Sequence, residues 1–298
     1  MGRAVRWRHE RYVRLESEIT SRIATALNLA LVRAEAVRPT ERPDALDYIL
    51  RGRAAYWNAP RGVHRYAIDL FERALVLDPH SVEAQSYLAS ALSVRDATTS
   101  AADLERAGEL TKQALSTSPL DPMAHYARAQ LLRAQGRCPE AILEYEVAIA
   151  SNRNWASAYG NIGDCRLWIG SLEETIPLEQ QAIRLSPRDP LLGWWYEFIG
   201  NVHLLQSRND EAIAWFEKAR NADPESWGRH AKLAAAYALK GENERAAAEL
   251  GEARKLVGDD RYSSISRLSR RNFGVPKVRA LVEATYFAGL RKAGVPEE

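Results

Sequence analysis

The sequence predicts an all-α solenoid in which one helix–turn–helix unit is repeated along most of the chain. Three observations support this prediction. Small residues recur at fixed spacings, glycines fall between two apolar stretches, and prolines follow the second stretch at a constant distance. Four windows of 34 residues align on these features, namely 122–155, 156–189, 193–226 and 227–260. A register kept over four windows indicates one structural unit that stacks on its neighbours.

Each window reads as two amphipathic helices joined by a tight turn. Small side chains at window positions 8, 20 and 27 mark the closest approach of the helices, as in Gly200, Ala212 and Ala219. Glycines in the turn predict a positive φ. Glutamates open the second helix, where the positive end of the helix dipole stabilises a negative charge. The turn glycines are Gly136, Gly170 and Gly241, the glutamates are Glu140, Glu174 and Glu211, and bulky core residues at position 24 are Tyr145, Phe216 and Leu250.

Two looser copies lie upstream, at 45–81 and 82–121, and both carry their extra residues in the turn between the helices. Insertions there cost little loop entropy. Three departures from the repeat are expected to have local consequences. Arg153 replaces a helix-ending proline, so that helix is expected to run on; Pro177 should kink or delay its helix; and Glu179 stands where an aromatic residue is expected.

Over residues 43–260 the pattern resembles the tetratricopeptide repeat. The resemblance implies a right-handed superhelix whose first helices line a concave groove that binds a peptide or a partner domain. Flanking segments complete the predicted organisation: a basic N-terminus with a junction helix at 1–40, the six repeats at 41–260, and a linker with a C-terminal capping helix at 261–298. Both flanking helices are expected to cover the open ends of the solenoid.

A second resemblance concerns the flanks, in the runs 18–27 (EITSRIATAL), 43–53 (PDALDYILRGR) and 286–296 (YFAGLRKAGVP). They are similar to the repeat regions of bacterial class III adenylate/guanylate cyclase-type proteins and of winged-helix regulators. In those proteins a catalytic or DNA-binding domain precedes the repeats. The resemblance therefore implies a signalling role as the regulatory repeat portion of such a system, without the N-terminal domain. The first 14 residues, with five arginines, match neither pattern.

Groove positions 2, 5, 6, 9, 12 and 13 of the first helices supply the candidate binding residues. Aromatic rings offer desolvated contact there, while amide and charged side chains can bond to a peptide backbone. An equally weighted alternative is that Trp168 and Trp194 pack between repeats and that the rest is solvated surface. The candidates are Tyr126, Gln130, Arg133, Asn161, Asp164, Trp168, Trp194, Glu197, Phe198 and Asn201.

Other function classes receive little support from the sequence. The net charge is +2, and no basic clamp for an acidic tail recurs at positions 5 and 9, so neither nucleic acid nor an acidic terminus is expected as the partner. Two cysteines without a metal-binding spacing favour a reducing, cytoplasmic location. We expect no cofactor, no metal, no membrane span and no enzymatic activity, since the common nucleotide-binding and hydrolase motifs are missing. The oligomeric state is left open.

Overall fold

A computed structural model describes residues 44–58, 64–94, 100–258, 263–269 and 273–298. The predicted junction helix and the arginine-rich start lie outside these residues. Within them the chain is helical and falls into two units. Unit 1 holds the described residues up to Ala158 together with 184–186, and unit 2 holds 159–183 and 187–298.

Twelve helices of the described residues form six antiparallel pairs, one in each predicted window. They are α1 (Ala45–Asn58), α2 (Arg65–Leu77), α3 (Val82–Leu92), α4 (Ala101–Thr117), α5 (Pro122–Ala134), α6 (Cys138–Ser151), α7 (Ala156–Trp168), α8 (Leu172–Leu185), α9 (Leu192–Leu205), α10 (Asn209–Ala222), α11 (Trp227–Lys240) and α12 (Asn243–Val257). The predicted all-α repeat fold is confirmed.

The tight turns have the backbone that the glycines predicted. Gly136, Gly170 and Gly241 have φ values of 78°, 90° and 88°, and Ser207 adopts φ 59° at the equivalent turn between α9 and α10. In each turn the residue after this position donates its N–H to a carbonyl in the last turn of the first helix; the Arg137 N–H, for example, bonds to the Leu132 oxygen at 2.8 Å. Glycine is favoured because it adopts this left-handed geometry without steric cost.

Small residues allow the paired helices to approach closely. A Cβ on Gly200 would lie 2.5 Å from the ring of Phe216, and a Cβ on Gly52 would meet Phe71 at the same distance. Both rings are completely buried. The bulky side chain of the second helix therefore fills the space that the glycine of the first helix leaves.

One local prediction was wrong, and a second was wrong in its expectation of a delayed helix. Helix α6 ends at Ser151 and is capped at Asn152, whose N–H bonds to the Ala148 oxygen, so Arg153 does not extend it. Helix α8 begins at Leu172, five residues ahead of Pro177, and is not delayed by it. The backbone hydrogen bond from the residue after Gly170 closes the preceding turn and sets the start of α8 before the proline is reached.

The C-terminal part of unit 2 starts with α13 (Ile265–Leu268). A separate helical stretch follows, made of α14 (Pro276–Val282), a π-helical turn (Glu283–Phe287) and α15 (Ala288–Lys292). Buried side chains of this stretch are spaced by four, five and three residues, at Val278, Val282, Phe287 and Leu290. A wider turn in the middle keeps residues five apart on one face. The stretch packs on α11, and its π-helical turn also reaches α9.

Candidate partner-binding surface

In unit 1, Tyr126 and Gln130 on α5 lie in the interior. Tyr126 is 1% exposed, and its ring stacks on that of Trp155 with centroids 4.7 Å apart. Gln130 donates to the Tyr126 hydroxyl at 3.3 Å and accepts from the Tyr145 hydroxyl at 2.7 Å. This network pairs buried polar groups that would otherwise be costly, and it ties α5 to α6.

Arg133 is half-buried and stands at the edge of that network, where its Nε donates to the Gln130 side-chain oxygen at 3.2 Å. It is the candidate of unit 1 that retains an accessible charged group. Tyr126 and Gln130 therefore support this part of the surface from below, whereas Arg133 borders it.

In unit 2, α7 carries Asn161, Asp164 and Trp168 at spacings of three and four residues, so the three side chains share one face. Asp164 is buried and accepts a hydrogen bond from the Trp168 indole N–H at 2.5 Å. Trp168 is half-buried, and the ring of Phe273 meets it edge-to-face with centroids 6.3 Å apart. Asn161 is also half-buried.

Behind Asp164 lies Glu179, a residue that the sequence marked only as a departure from the repeat. It is fully buried on α8, and neither carboxyl oxygen has a hydrogen-bond partner among the described residues. Its Oε1 occupies the space that a Cβ on Gly163 would take. Burial, and secondarily the negative charge of Asp164, raise the pKa of Glu179 well above its ordinary value.

Helix α9 carries Trp194, Glu197, Phe198 and Asn201, of which only Trp194 is more than slightly exposed. The guanidinium of Arg229, on α11, lies 5.1 Å from the centre of the Trp194 ring. The ring also approaches Phe198, with centroids 6.3 Å apart. These contacts hold the ring in place, while part of its surface stays accessible to solvent.

Arg229 is itself 1% exposed and lies at the centre of a buried ion network. Its Nε is 3.3 Å from Glu197 Oε2, and it also pairs with Asp223. Lys232 pairs with the other oxygen of Glu197. The charges of Arg229 and Lys232 balance those of the buried Glu197 and the half-exposed Asp223. The network thereby fixes α9 against α11.

The structure thus separates the sequence-predicted residues into two sets. Arg133, Asn161, Trp168 and Trp194 are half-buried, and Tyr126, Gln130, Asp164, Glu197, Phe198 and Asn201 are buried. Arg229 and Glu179 are the residues that sequence reasoning missed. The sequence did signal Glu179, because it is a charged residue at a core position of the repeat. Nothing in the sequence signals the contact of Arg229 with the Trp194 ring.

Two histidines make the same contacts in different repeats. His125 Nδ1 lies 2.6 Å from Glu144 Oε2, and its Nε2 lies 3.0 Å from the Pro119 carbonyl oxygen. His230 has the equivalent partners, a glutamate on the second helix at 2.6 Å and a proline carbonyl at 2.8 Å. A contact repeated with the same spacing holds the two helices of a repeat together. Among the described residues, no three His, Cys, Asp or Glu side chains are grouped so as to hold a metal ion.

Two protein-family models match parts of the repeat region. Residues 103–158 and 156–225 match two models of the tetratricopeptide repeat. No curated protein sequence matches the chain. In the described part of the chain no helix is both long and apolar enough to span a membrane.

Three solved structures resemble the chain in fold. A thermophilic TPR protein of Thermus thermophilus is 20% identical, with a TM-score of 0.51 over 64% of this chain and 98% of its own. PilF of Pseudomonas aeruginosa is 16% identical, with a TM-score of 0.54 over 76% and 97%. The APC/C hetero-tetramer Cut9–Hcn1 is 13% identical, with a TM-score of 0.61 over 86% of this chain and 45% of the other. At these identities the likeness establishes the tetratricopeptide-repeat solenoid fold alone.

Proposed function

We propose that this repeat solenoid is a protein-interaction scaffold that binds a peptide or a partner domain on the face formed by the first helices of its repeats. The observation that carries the proposal is the setting of Trp194, a half-exposed ring backed by Arg229 and Phe198. Tryptophan and arginine are enriched among the residues that dominate binding energy. A ring that is already fixed loses little side-chain entropy when a partner covers it.

The surroundings of Trp194 indicate the chemistry of the ligand. Lys232 is half-buried and pairs with Glu197, and Asn161 is half-buried on the face of α7 that carries the buried Asp164. A ligand that combines an apolar anchor with backbone and amide hydrogen bonds suits such a surface. A C-terminal carboxylate does not, because Arg229 and Lys232 already pair with acidic side chains. In unit 2 the contact residues are Trp194, Asn161 and Trp168, in unit 1 the contact residue is Arg133, and the buried candidates of each unit position them.

Binding of library peptides tests the proposal. Peptides are selected from a displayed random library on the full chain, and their dissociation constants are measured with wild type, Trp194→Ala and Trp215→Ala. Trp215 is the matched control, because it is a half-buried tryptophan on α10 with Lys218 4.0 Å above its ring. We expect Trp194→Ala to weaken binding at least tenfold, about 1.4 kcal/mol, and Trp215→Ala to leave it unchanged. Equal effects of the two substitutions would exclude Trp194 as the anchor.

The alternative is that the chain is the regulatory repeat portion of a cyclase-like or winged-helix system. It depends on the sequence resemblance at 18–53 and 286–296, part of which lies outside the described residues. Sequencing the coding DNA next to this gene tests it, since a cyclase or winged-helix domain there is expected on this view. A cytoplasmic location fits both proposals, because Cys138 and Cys165 are buried thiols outside any disulfide.

A further inference from the structure

The C-terminal segment of unit 2, residues 273–296, lies against α7, α9 and α11, and α7 and α9 carry candidate binding residues. At its start, the Val275 N–H bonds to the carbonyl oxygen of Trp168 at 3.0 Å. Gly274, with φ 77°, lies so close to that carbonyl that a Cβ would collide with its oxygen. The Phe273 ring covers Trp168. A partner that contacts Trp168 must therefore replace this contact.

Further along, the segment crosses α11 at Gly289. A Cβ there would lie 2.5 Å from the carbonyl oxygen of Ala235, so a larger residue cannot be accommodated without moving the backbone. Ala231 and Ala235 are completely buried and belong to the same apolar cluster as Phe287 and Leu290. The helix–helix contact is thus close and dry.

Repeat positions assign this side of α11 to the predicted groove. Ala231 and Ala235 occupy positions 5 and 9 of their window, where the preceding window has Glu197 and Asn201. Equivalent positions of stacked repeats face the same way. The last repeat therefore has small side chains where the preceding one has polar ones, and its own C-terminal helix takes the space.

The end of the segment makes backbone hydrogen bonds to the start of α13. The N–H groups of Ile265 and Ser266 donate to the carbonyl oxygens of Pro296 and Glu297 at 2.8 and 3.0 Å, and Ser266 and Glu297 are exposed. The Arg254 guanidinium donates to the Gly294 carbonyl oxygen at 3.5 Å, and the helical part of the segment adds an apolar face of buried side chains. A second helix with the same apolar face and a small residue at the crossing point would make the same contacts.

We propose that residues 273–296 are an intramolecular competitor for the partner-binding face of unit 2, and that the partner at this face is an amphipathic helix of the same chemistry. This inference rests on the proposed scaffold function. With an intrinsic Kd of about 10 µM for the open face, a segment tethered at an effective concentration on the order of 1 mM makes any competing helix bind roughly 100-fold more weakly to the closed protein.

The test uses the full chain and a labelled synthetic peptide of residues 273–298 as the probe. Gly289→Leu should detach the chain's own helix, because the new side chain meets the Ala235 backbone, and the peptide still carries glycine. Gly251→Leu is the matched control, since a Cβ at Gly251 on α12 meets nothing within 4 Å. Fluorescence anisotropy gives the peptide affinity, and hydrogen exchange reports protection of 276–292 and of α11.

We expect Gly289→Leu to lose protection over 276–292, to keep it in α11, and to bind the peptide at least tenfold more tightly than wild type and Gly251→Leu. The competitor role is overturned if the detached variant binds no better than wild type, or if α9 and α11 lose protection together with the segment. Phe287→Ala, which removes buried contacts without a clash, replaces Gly289→Leu if that variant does not fold. Failure of the scaffold proposal has a different signature: library peptides bind neither protein, while the 273–298 peptide is still captured.

Discussion

Replacing Glu179 by glutamine should stabilise unit 2 at neutral pH and reduce the pH dependence of its unfolding. In the folded chain the Glu179 carboxyl is completely buried, lacks a hydrogen-bond partner among the described residues and faces Asp164. These surroundings disfavour the ionised form, so the pKa is raised well above its ordinary value of about 4.5. Glutamine has nearly the same shape and carries no charge at any of the relevant pH values.

The sign follows from proton linkage. Above pH 4.5 the unfolded chain has lost the Glu179 proton while the folded chain keeps it, so the free energy of unfolding falls as pH rises. The loss is about 1.4 kcal/mol per pH unit until pH reaches the pKa of the folded state. Below pH 4.5 this contribution is fully present, and wild type and Glu179→Gln should differ by less than about 1 kcal/mol.

Urea unfolding followed by circular dichroism at several values between pH 4 and pH 8 measures this difference. The control is Glu173→Gln, which removes an exposed glutamate from the first turn of the same helix. We expect the stability advantage of Glu179→Gln to grow with pH and that of the control to stay near zero. An advantage independent of pH would refute the reasoning, because it would mean that Glu179 is ionised in the folded state.

Two further substitutions test the packing. Gly200→Ala should destabilise the chain by about 1–3 kcal/mol, since its Cβ would lie 2.5 Å from the ring of Phe216. The control Gly228→Ala should be nearly neutral, because a Cβ at Gly228 has nothing within 4 Å. Equal denaturation midpoints of the two variants would contradict this prediction. Tyr145→Phe should cost about 1–2 kcal/mol, because it removes a buried 2.7 Å hydrogen bond to Gln130; a thermal midpoint unchanged from wild type would show that the bond contributes no net stability.

The repeat register was sufficient to predict most of the fold. Fixed spacings identify which residues face each other within a repeat, because the two helices meet in the same way each time. The contact of Gly200 with Phe216 and the positive φ of Gly136 follow directly from window positions. Cap geometry is more local, and the ends of α6 and α8 were therefore misjudged from single residues.

The binding surface could be predicted only in part. Window position tells which way a side chain leaves its helix, but it does not tell what covers that side chain. Tyr126 occupies a predicted groove position of its window and is nevertheless buried, with Trp155 stacked on it. Trp168 is covered by Phe273, a residue outside the repeats and far along the chain. No periodicity connects these pairs, so only the folded chain shows them.

Departures from the repeat rule are informative because the rule itself is set by packing. Where an aromatic core residue gives way to Glu179, the helix pair keeps an ionisable group that a stable core does not need. Where polar groove residues give way to Ala231 and Ala235, the chain's own C-terminal helix fills the groove. We expect the first departure to weaken unit 2 as pH rises, and we propose that the second covers part of its candidate binding face. Both departures from regular repeat packing lie in unit 2, which also presents Trp194, the candidate anchor.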